Sequence, residues 1–326
     1  MKKRILITGA AGFIGFHFAK QCLEHGHYVV GIDNFNDYYA VSLKEDRAKE
    51  LQQFGLQVER LDICDETLCD RIQQGQFTHV VHLAAQAGVR YSLDHPEVYV
   101  KTNIGGFLNV LEGCRKAKGV RLIYASSSSV YGSNTKVPFA VDDRTDCPVN
   151  MYAATKKSNE LMAYTYHHLY QLPCLGMRFF TVYGPWGRPD MAVYAFTRAI
   201  FEGNPVEVYN NGASLRDFTY VDDIIDGIYS ALDCPQEYAI FNLGNNRPQS
   251  VHTLMDLIEK ETGKKFNKQF LPMQKGEIVE TYADIATATQ WLGFRPKVTL
   301  ADGIAKFVAW YEEYMSLDKN GAARLV

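Results

Sequence analysis

Apolar positions along the first half of the chain fall into two rhythms. Short apolar runs at 4–8, 28–33, 57–61, 79–83 and 121–125 predict strands. Between them, at 13–24, 66–73 and 101–118, apolar residues recur three and four apart and predict amphipathic helices. A helix over 152–170 and a strand at 174–179 continue the alternation. Repeated strand–helix units imply right-handed crossovers and a parallel sheet covered on both faces: an α/β, Rossmann-type doubly wound fold.

After about residue 180 the texture changes. Tyr183-Gly184-Pro185-Trp186-Gly187-Arg188-Pro189 mixes turn formers with one large aromatic and predicts a loop. Helices follow at 192–202, 221–232, 251–262 and 300–314, with strands near 206–209 and 239–243. The tail from 316 has little apolar patterning and is expected to be loose. The expected division is a dinucleotide-binding half at 1–179 with a return segment at about 214–244, and a smaller mixed α/β substrate half at 180–213 and 245–326.

Composition narrows the function classes. A net charge of −3 over 326 residues offers no basic field, so nucleic acid is not an expected partner. No apolar run approaches the roughly 20 residues that span a bilayer. Met1-Lys2-Lys3-Arg4 leads straight into the first strand, too short an apolar stretch for a secretory signal, so the cytoplasm is the expected location. The seven cysteines form no C-x-x-C and no zinc spacing; reduced thiols and no metal are expected. His167-His168 is read as a packed or solvent-facing pair on the helix, and the abundance of Tyr and Phe chiefly as core.

Gly9-Ala10-Ala11-Gly12-Phe13-Ile14-Gly15 follows the first strand and opens a helix. Glycine there permits a tight turn and close approach of the backbone to a pyrophosphate, which the helix N-terminus attracts. The spacing is G-x-x-G-x-x-G, and alone it marks no more than a tight turn. Context adds to it: the second strand ends in Asp33, followed by Asn34, where a carboxylate can accept from a ribose 2′-hydroxyl and would repel the phosphate of NADP. Asp62 with Ile63 follows the third strand and can meet the adenine, and Leu83-Ala84-Ala85 lets backbone come close to the cofactor. NAD is the expected cofactor.

Tyr152 and Lys156 are four apart on a predicted helix and share a face. A phenol ordinarily titrates near ~10; a neighbouring ammonium favours the phenolate and makes it a usable base. Tyr124-Ala125-Ser126-Ser127-Ser128-Ser129-Val130-Tyr131-Gly132 begins where the fifth strand ends, at the sheet edge where ligands bind in open α/β proteins. A hydroxyl there can hold a sugar oxygen or relay a proton, whereas Ser126 reads better as a loop or cap residue.

With these residues in place, the chain resembles the extended short-chain dehydrogenase/reductase family along nearly its whole length. Within that family it resembles the nucleotide-sugar 4-epimerases, most closely those acting on UDP-glucuronate. The match is carried by Gly9 to Gly15, Asp33-Asn34 with Asp37-Tyr38-Tyr39, Leu83 to Arg90, Ser126 to Gly132, Tyr152 to Lys156, Arg178 to Asp190 and Arg216 to Asp223. The resemblance implies that Tyr152 takes the proton of the sugar C4 hydroxyl, that Ser127 holds the same oxygen, and that Lys156 holds the nicotinamide ribose and lowers the Tyr152 pKa. It also implies a homodimer built by pairing helices 101–118 and 152–170 of each subunit.

Within the resemblance, the substrate-binding candidates are Ser127, Ser128, Thr181, Arg188, Arg216 and Arg90. Related dehydratases carry an acid after the catalytic hydroxyl; Ser128 and Ser129 stand there instead, which argues against dehydration. Thr181 follows Arg178-Phe179-Phe180 where glucose-type epimerases commonly have Asn, leaving room for a carboxylate. Arg188 offers planar two-point recognition of that carboxylate, or is a surface loop arginine. Arg216 is the family's pyrophosphate arginine, or pairs with Asp217. A second phosphate-binding arginine of relatives is replaced by Gln274 or Lys275. The expected substrate is UDP-glucuronate, with UDP-glucose or UDP-N-acetylglucosamine epimerisation, UDP-glucuronate decarboxylation, or a non-catalytic NAD-binding role as alternatives.

Overall fold

The computed structural model describes residues 2–272 and 280–317. Strands β1 (Arg4–Thr8), β2 (Tyr28–Asp33), β3 (Glu59–Arg60), β4 (His79–His82), β5 (Arg121–Ser127), β6 (Cys174–Phe179) and the later strand Tyr238–Leu243 form one parallel sheet. Its order is Tyr238–Leu243, β6, β5, β4, β1, β2, β3. Every pair in it is parallel. Successive residues point to opposite faces of a strand, and both faces are buried here. Ile5, Ile7, Val81 and Ile123 enter one core; Leu6, Val80, Leu122 and Tyr124 enter another.

Helix α1 (Phe13–Glu24) and the later helix Val221–Ala231 supply the first core. The second lies beneath α3 (Thr67–Gln74) and two helices described below. Helix α2 (Val41–Gln53), absent from the sequence reading, buries Leu43, Lys44, Arg47 and Leu51. Two cations on its inward face hide the apolar stripe that would have announced it. The expected strand at 57–61 shrinks to the edge strand β3.

After β4 come two single-turn helices, α4 (Tyr91–Asp94) and α5 (Pro96–Tyr99). A π-helical segment Val100–Gly106 then leads into α6 (Phe107–Ala117). The expected helix at 101–118 is therefore wider-wound in its first half. Helix α7 (Met151–Tyr170) is capped by Asn150, whose side chain accepts from the Ala153 N–H at 2.8 Å.

Beyond β6 the strands are short. Strand β7 (Thr181–Tyr183) pairs in parallel with Phe218–Tyr220. Pro205–Tyr209 pairs with Asn267–Leu271, and Leu215–Arg216 lies between Gln249–Ser250 and Glu280–Thr281. Helices Ala192–Glu202, Val251–Thr262 and Leu300–Leu317 cover them. The first core runs unbroken from Ile5 through Phe218 and Leu254 to Phe307. No helix among the described residues is long and apolar enough to cross a membrane.

Candidate active site

Strand order reverses between β1 and β4, whose carboxyl ends therefore open a crevice. Gly9 turns out of β1 with φ +73°, and a Cβ there would stand 2.8 Å from the Ala84 nitrogen. A Cβ on Gly15 would stand 2.0 Å from the Gly9 carbonyl oxygen, so that position excludes any side chain. No side chain caps α1 at Gly12. The first N–H groups of α1, at Phe13 and Ile14, and the positive end of its dipole are thus presented to a pyrophosphate. The Phe13 ring itself lies in the core.

Asp33 is buried at the end of β2. Its two oxygens accept from Ala11 N–H (3.1 Å) and Phe35 N–H (2.8 Å), which fixes the carboxylate at the turn. Asn34 donates to Asp62 at 2.9 Å, and Cys64 N–H donates to the same carboxylate at 2.8 Å. Burial pushes Asp62 upward, but these donors outweigh it and hold the group below the usual carboxylate range. Ile63 packs under Gly106 of the π-helical segment. Leu83, Ala84 and Ala85 are half-buried along the opposite wall. Glycine turn, acid and alanine backbone thus form one crevice suited to NAD. Lys44, which sequence reasoning missed together with its helix, is buried beside it; its ammonium donates to the Asn36 carbonyl (2.7 Å) and side chain. Burial brings its pKa down to about 8.

The catalytic candidates meet at the carboxyl edge. Ser127 ends β5; its hydroxyl accepts from Ser129 N–H at 3.2 Å, donates to the Ser129 hydroxyl at 3.2 Å, and favours the ionised Tyr152 phenol. Tyr152 is half-buried in the first turn of α7, its ring 6.2 Å from that of Tyr99. Burial raises its pKa; the Ser127 hydroxyl and the Arg188 charge pull it down, and Asp190 pushes it up again. Lys156 is buried one turn along, donates to the Ala125 carbonyl at 2.8 Å, and is brought down to about 8 by burial. The Ser127 hydroxyl and the Arg188 charge favour the phenolate.

Ser126 turns the other way. Its hydroxyl donates to Glu160 (2.7 Å), which also receives Arg178 through Nε and Nη2 at 2.8 and 2.9 Å. Arg178 reaches the Tyr131 hydroxyl (2.9 Å) and the Val141 carbonyl (3.0 Å). The network joins β5, β6 and α7, the elements that carry the reactive groups or flank them.

Arg188 is no solvent-facing loop arginine. Its Nε and Nη2 donate to Asp190 at 3.0 and 2.6 Å, and Asp190 also accepts from the Tyr38 hydroxyl at 3.0 Å. The loop before it is pinned by Arg47, which is fully buried. Arg47 donates to Trp186 O (2.6 and 3.2 Å), Gly187 O (3.2 Å), Ala11 O (3.0 Å) and the Tyr39 hydroxyl (2.7 Å). Trp186 adopts φ +62°, a left-handed conformation unusual for a bulky residue. Nothing short of the structure would have paired Arg47 with this loop.

Thr181 is half-buried on β7, its N–H donating to the Asp217 carbonyl at 3.0 Å. Asp217 lies in the core, where its carboxylate takes the Thr219 hydroxyl and the N–H groups of Asn245, Asn246 and Ala283. It ties three segments together. Arg216 donates to the Leu215 carbonyl at 2.9 Å. Arg90 is exposed at the start of α4, 5.8 Å from the Tyr209 ring centre, and Ser128 is half-buried beside Ser127. Gln274 and Lys275 lie outside the described residues. His167 stacks on Tyr238 and His168 on Tyr164. Among the described residues no group of three or more His, Cys, Asp or Glu side chains is arranged around a common point.

A parallel sheet with a glycine turn at its switch point, an acid ending β2, and serine, tyrosine and lysine along one edge defines a dinucleotide-dependent enzyme of the short-chain dehydrogenase/reductase class. The chain belongs to the NAD dependent epimerase/dehydratase family, whose sequence model matches residues 5–244. It is 45% identical to UDP-glucuronate 4-epimerase 4 of Arabidopsis thaliana over 98% of this chain and 78% of that one. The crystal structure of UDP-glucuronic acid 4-epimerase from Bacillus cereus, in complex with UDP-glucuronic acid and NAD, superposes with a TM-score of 0.89 at 34% identity, covering 95% and 99% of the two chains. UDP-glucose 4-epimerase of Thermotoga maritima, with UDP-glucose, reaches a TM-score of 0.88 at 30% identity, covering 96% and 99%.

Proposed function

We propose that the chain is an NAD-dependent isomerase that inverts C4 of a UDP-sugar, converting UDP-glucuronate to UDP-galacturonate through a 4-keto intermediate. The observation that carries the uronate reading is the half-buried Arg188 guanidinium, held side-on by Asp190, whose charge also favours the Tyr152 phenolate. It brings a two-point carboxylate binder to the group that handles C4.

Gly9, Gly12, Phe13, Ile14 and Gly15 would hold the pyrophosphate of NAD by their backbone. Asp33, Asn34, Asp62 and Ile63 would hold the adenosine, and Leu83, Ala84, Ala85 and Lys156 the nicotinamide side. Bound NAD supplies a hydride acceptor that later returns the hydride. Tyr152, as phenolate, takes the proton of the C4 hydroxyl while Ser127 steadies the oxygen. The same pair gives the proton back after the keto sugar has turned its other face. Ser127, Ser128, Thr181 and Arg188 hold the carboxylate; Arg216 and Arg90 serve the diphosphate side. Hydroxyls rather than an acid at Ser128 and Ser129 argue against dehydration.

The same reading assigns cofactor binding to 1–179 with the return at about 214–244, and nucleotide-sugar binding to 180–213 and 245–326. The assembly is a homodimer. Leu161, Tyr164 and Leu169 on α7 are 58%, 52% and 60% exposed, and Leu108 on α6 is 42% exposed, an apolar stripe that a second copy would cover. The cytoplasm suits the free thiols, of which Cys22 and Cys174 are pushed up to about 12 by burial.

Incubation with UDP-glucuronate and, separately, UDP-glucose, followed by NMR of the anomeric proton, tests the reading. UDP-galacturonate without NADH accumulation or CO2 is expected. Turnover of UDP-glucose alone would retain the chemistry and refute the carboxylate pocket.

A further inference from the structure

Arg188 has five N–H bonds to place, and the structure accounts for them unevenly. Asp190 takes the Nε and one Nη2 hydrogen, the side of the fork. Nη1 donates to nothing among the described residues, and the side chain retains 23% exposure. The outer Nη1/Nη2 edge is a second two-point face, the one that matches a carboxylate.

Asp190 is itself anchored. Tyr38 donates to the oxygen that also accepts from Nη2, and the Tyr38 hydroxyl sits where a side chain at Gly88 would be, 2.1 Å from the position of its Cβ. The Arg188 guanidinium lies 6.0 Å from the Tyr38 ring centre. The same Gly88 Cβ position lies 3.6 Å from the Tyr99 hydroxyl, and the Tyr99 ring stands 6.2 Å from that of Tyr152, so the Arg188–Asp190–Tyr38 cluster borders the reacting end of the cleft.

We propose that Asp190 is a positioning residue for Arg188. With Tyr38 as its second anchor, it occupies the side of the guanidinium and aims the outer edge at a uronate carboxylate bound beside Tyr152. Asp190 touches neither substrate nor cofactor in this assignment, which rests on the uronate reading above.

The aim matters because the oxidised substrate is a β-keto acid. If its C5–C6 bond lines up with the π orbitals of the C4 ketone, that bond breaks and CO2 leaves. The electron pair passes through C5 into the carbonyl as an enolate, and C5 then takes a proton. No oxidant or reductant is consumed. A guanidinium fixed on one side and gripping the carboxylate with the other keeps the bond out of that alignment. A guanidinium free to swivel does not.

The experiment compares wild type with Asp190→Asn, Asp190→Glu and Tyr38→Phe, all NAD-loaded, on UDP-glucuronate, quantifying uronate and pentose products by NMR. In Asp190→Asn and Tyr38→Phe the pentose fraction is expected to rise at least about fivefold over the wild-type level, the factor one ordinary hydrogen bond represents. Asp190→Glu, which keeps the carboxylate, falls between. A lower kcat with unchanged partition in the folded variants would mean a merely structural role and overturns the assignment. If Asp190→Asn does not fold, Tyr38→Phe, which deletes one hydroxyl, decides. Wild type that makes no UDP-galacturonate removes the uronate reading, and the assignment with it; wild type that epimerises beside variants of unaltered partition removes only the assignment.

Discussion

Tyr152 works against its own surroundings. Burial disfavours the phenolate, and the protein offsets this with one hydroxyl, Ser127, and one guanidinium, Arg188. The consequence is a pH profile with a stated direction. The rate should rise with pH as the phenol ionises, and Ser127→Ala, which removes the hydroxyl that favours the phenolate, should move that limb to higher pH. Tyr152→Phe should lower kcat by roughly 10²–10⁴, the range for a lost acid–base group. A profile that keeps its limb in Ser127→Ala would take Ser127 out of contact with the base. Much of this site was legible as letters. Glycine turn, Asp33, Ser127, Tyr152 and Lys156 each sit where a strand end or helix start was expected, because backbone geometry dictates those places. Asp190, Tyr38 and Arg47 were not legible as a set: they meet only through contacts spanning 139 to 152 positions in sequence.

Elements hold these residues through one buried ion pair. Glu160 on α7 binds Ser126 on β5 and Arg178 on β6, so the helix bearing Tyr152 and Lys156 is locked to the strand bearing Ser127. Burial raises Glu160, yet the Arg178 guanidinium outweighs it and keeps the carboxyl below its ordinary range. Glu160→Gln leaves Arg178 buried without a counter-charge and should cost about 3–5 kcal/mol, read as a lower urea midpoint at unchanged slope. A loss under ~1 kcal/mol would show that Arg178 finds other acceptors. Strands β1, β2 and β6 were read from the sequence with the right bounds because both faces are apolar. Helix α2 escaped because Lys44 and Arg47 stand where a core helix shows leucines, and the π-helical widening at Val100–Gly106 leaves no periodic trace in so short a segment.

At the scale of the whole molecule, the outward stripe of α7 makes a prediction about assembly. Leu161→Glu with Leu169→Glu should convert a dimer to a monomer of unchanged secondary structure, seen by sedimentation; a wild-type monomer would refute the helix-paired dimer. Overall shape does not discriminate substrates, since the glucuronate and glucose epimerases superpose almost equally well, at 0.89 and 0.88. The proposed carboxylate grip rests instead on a few side chains, of which Arg188 lies on the loop after β7. That loop, which follows β7, is stitched to the glycine turn by Arg47, a cation that makes no ion pair among the described residues and five hydrogen bonds to neutral oxygens on three separate segments. Parting those segments would strand a guanidinium in the interior without acceptors. The loop and the glycine turn are therefore riveted together at this seam, and a ligand that reaches the crevice is expected to do so without prising them apart.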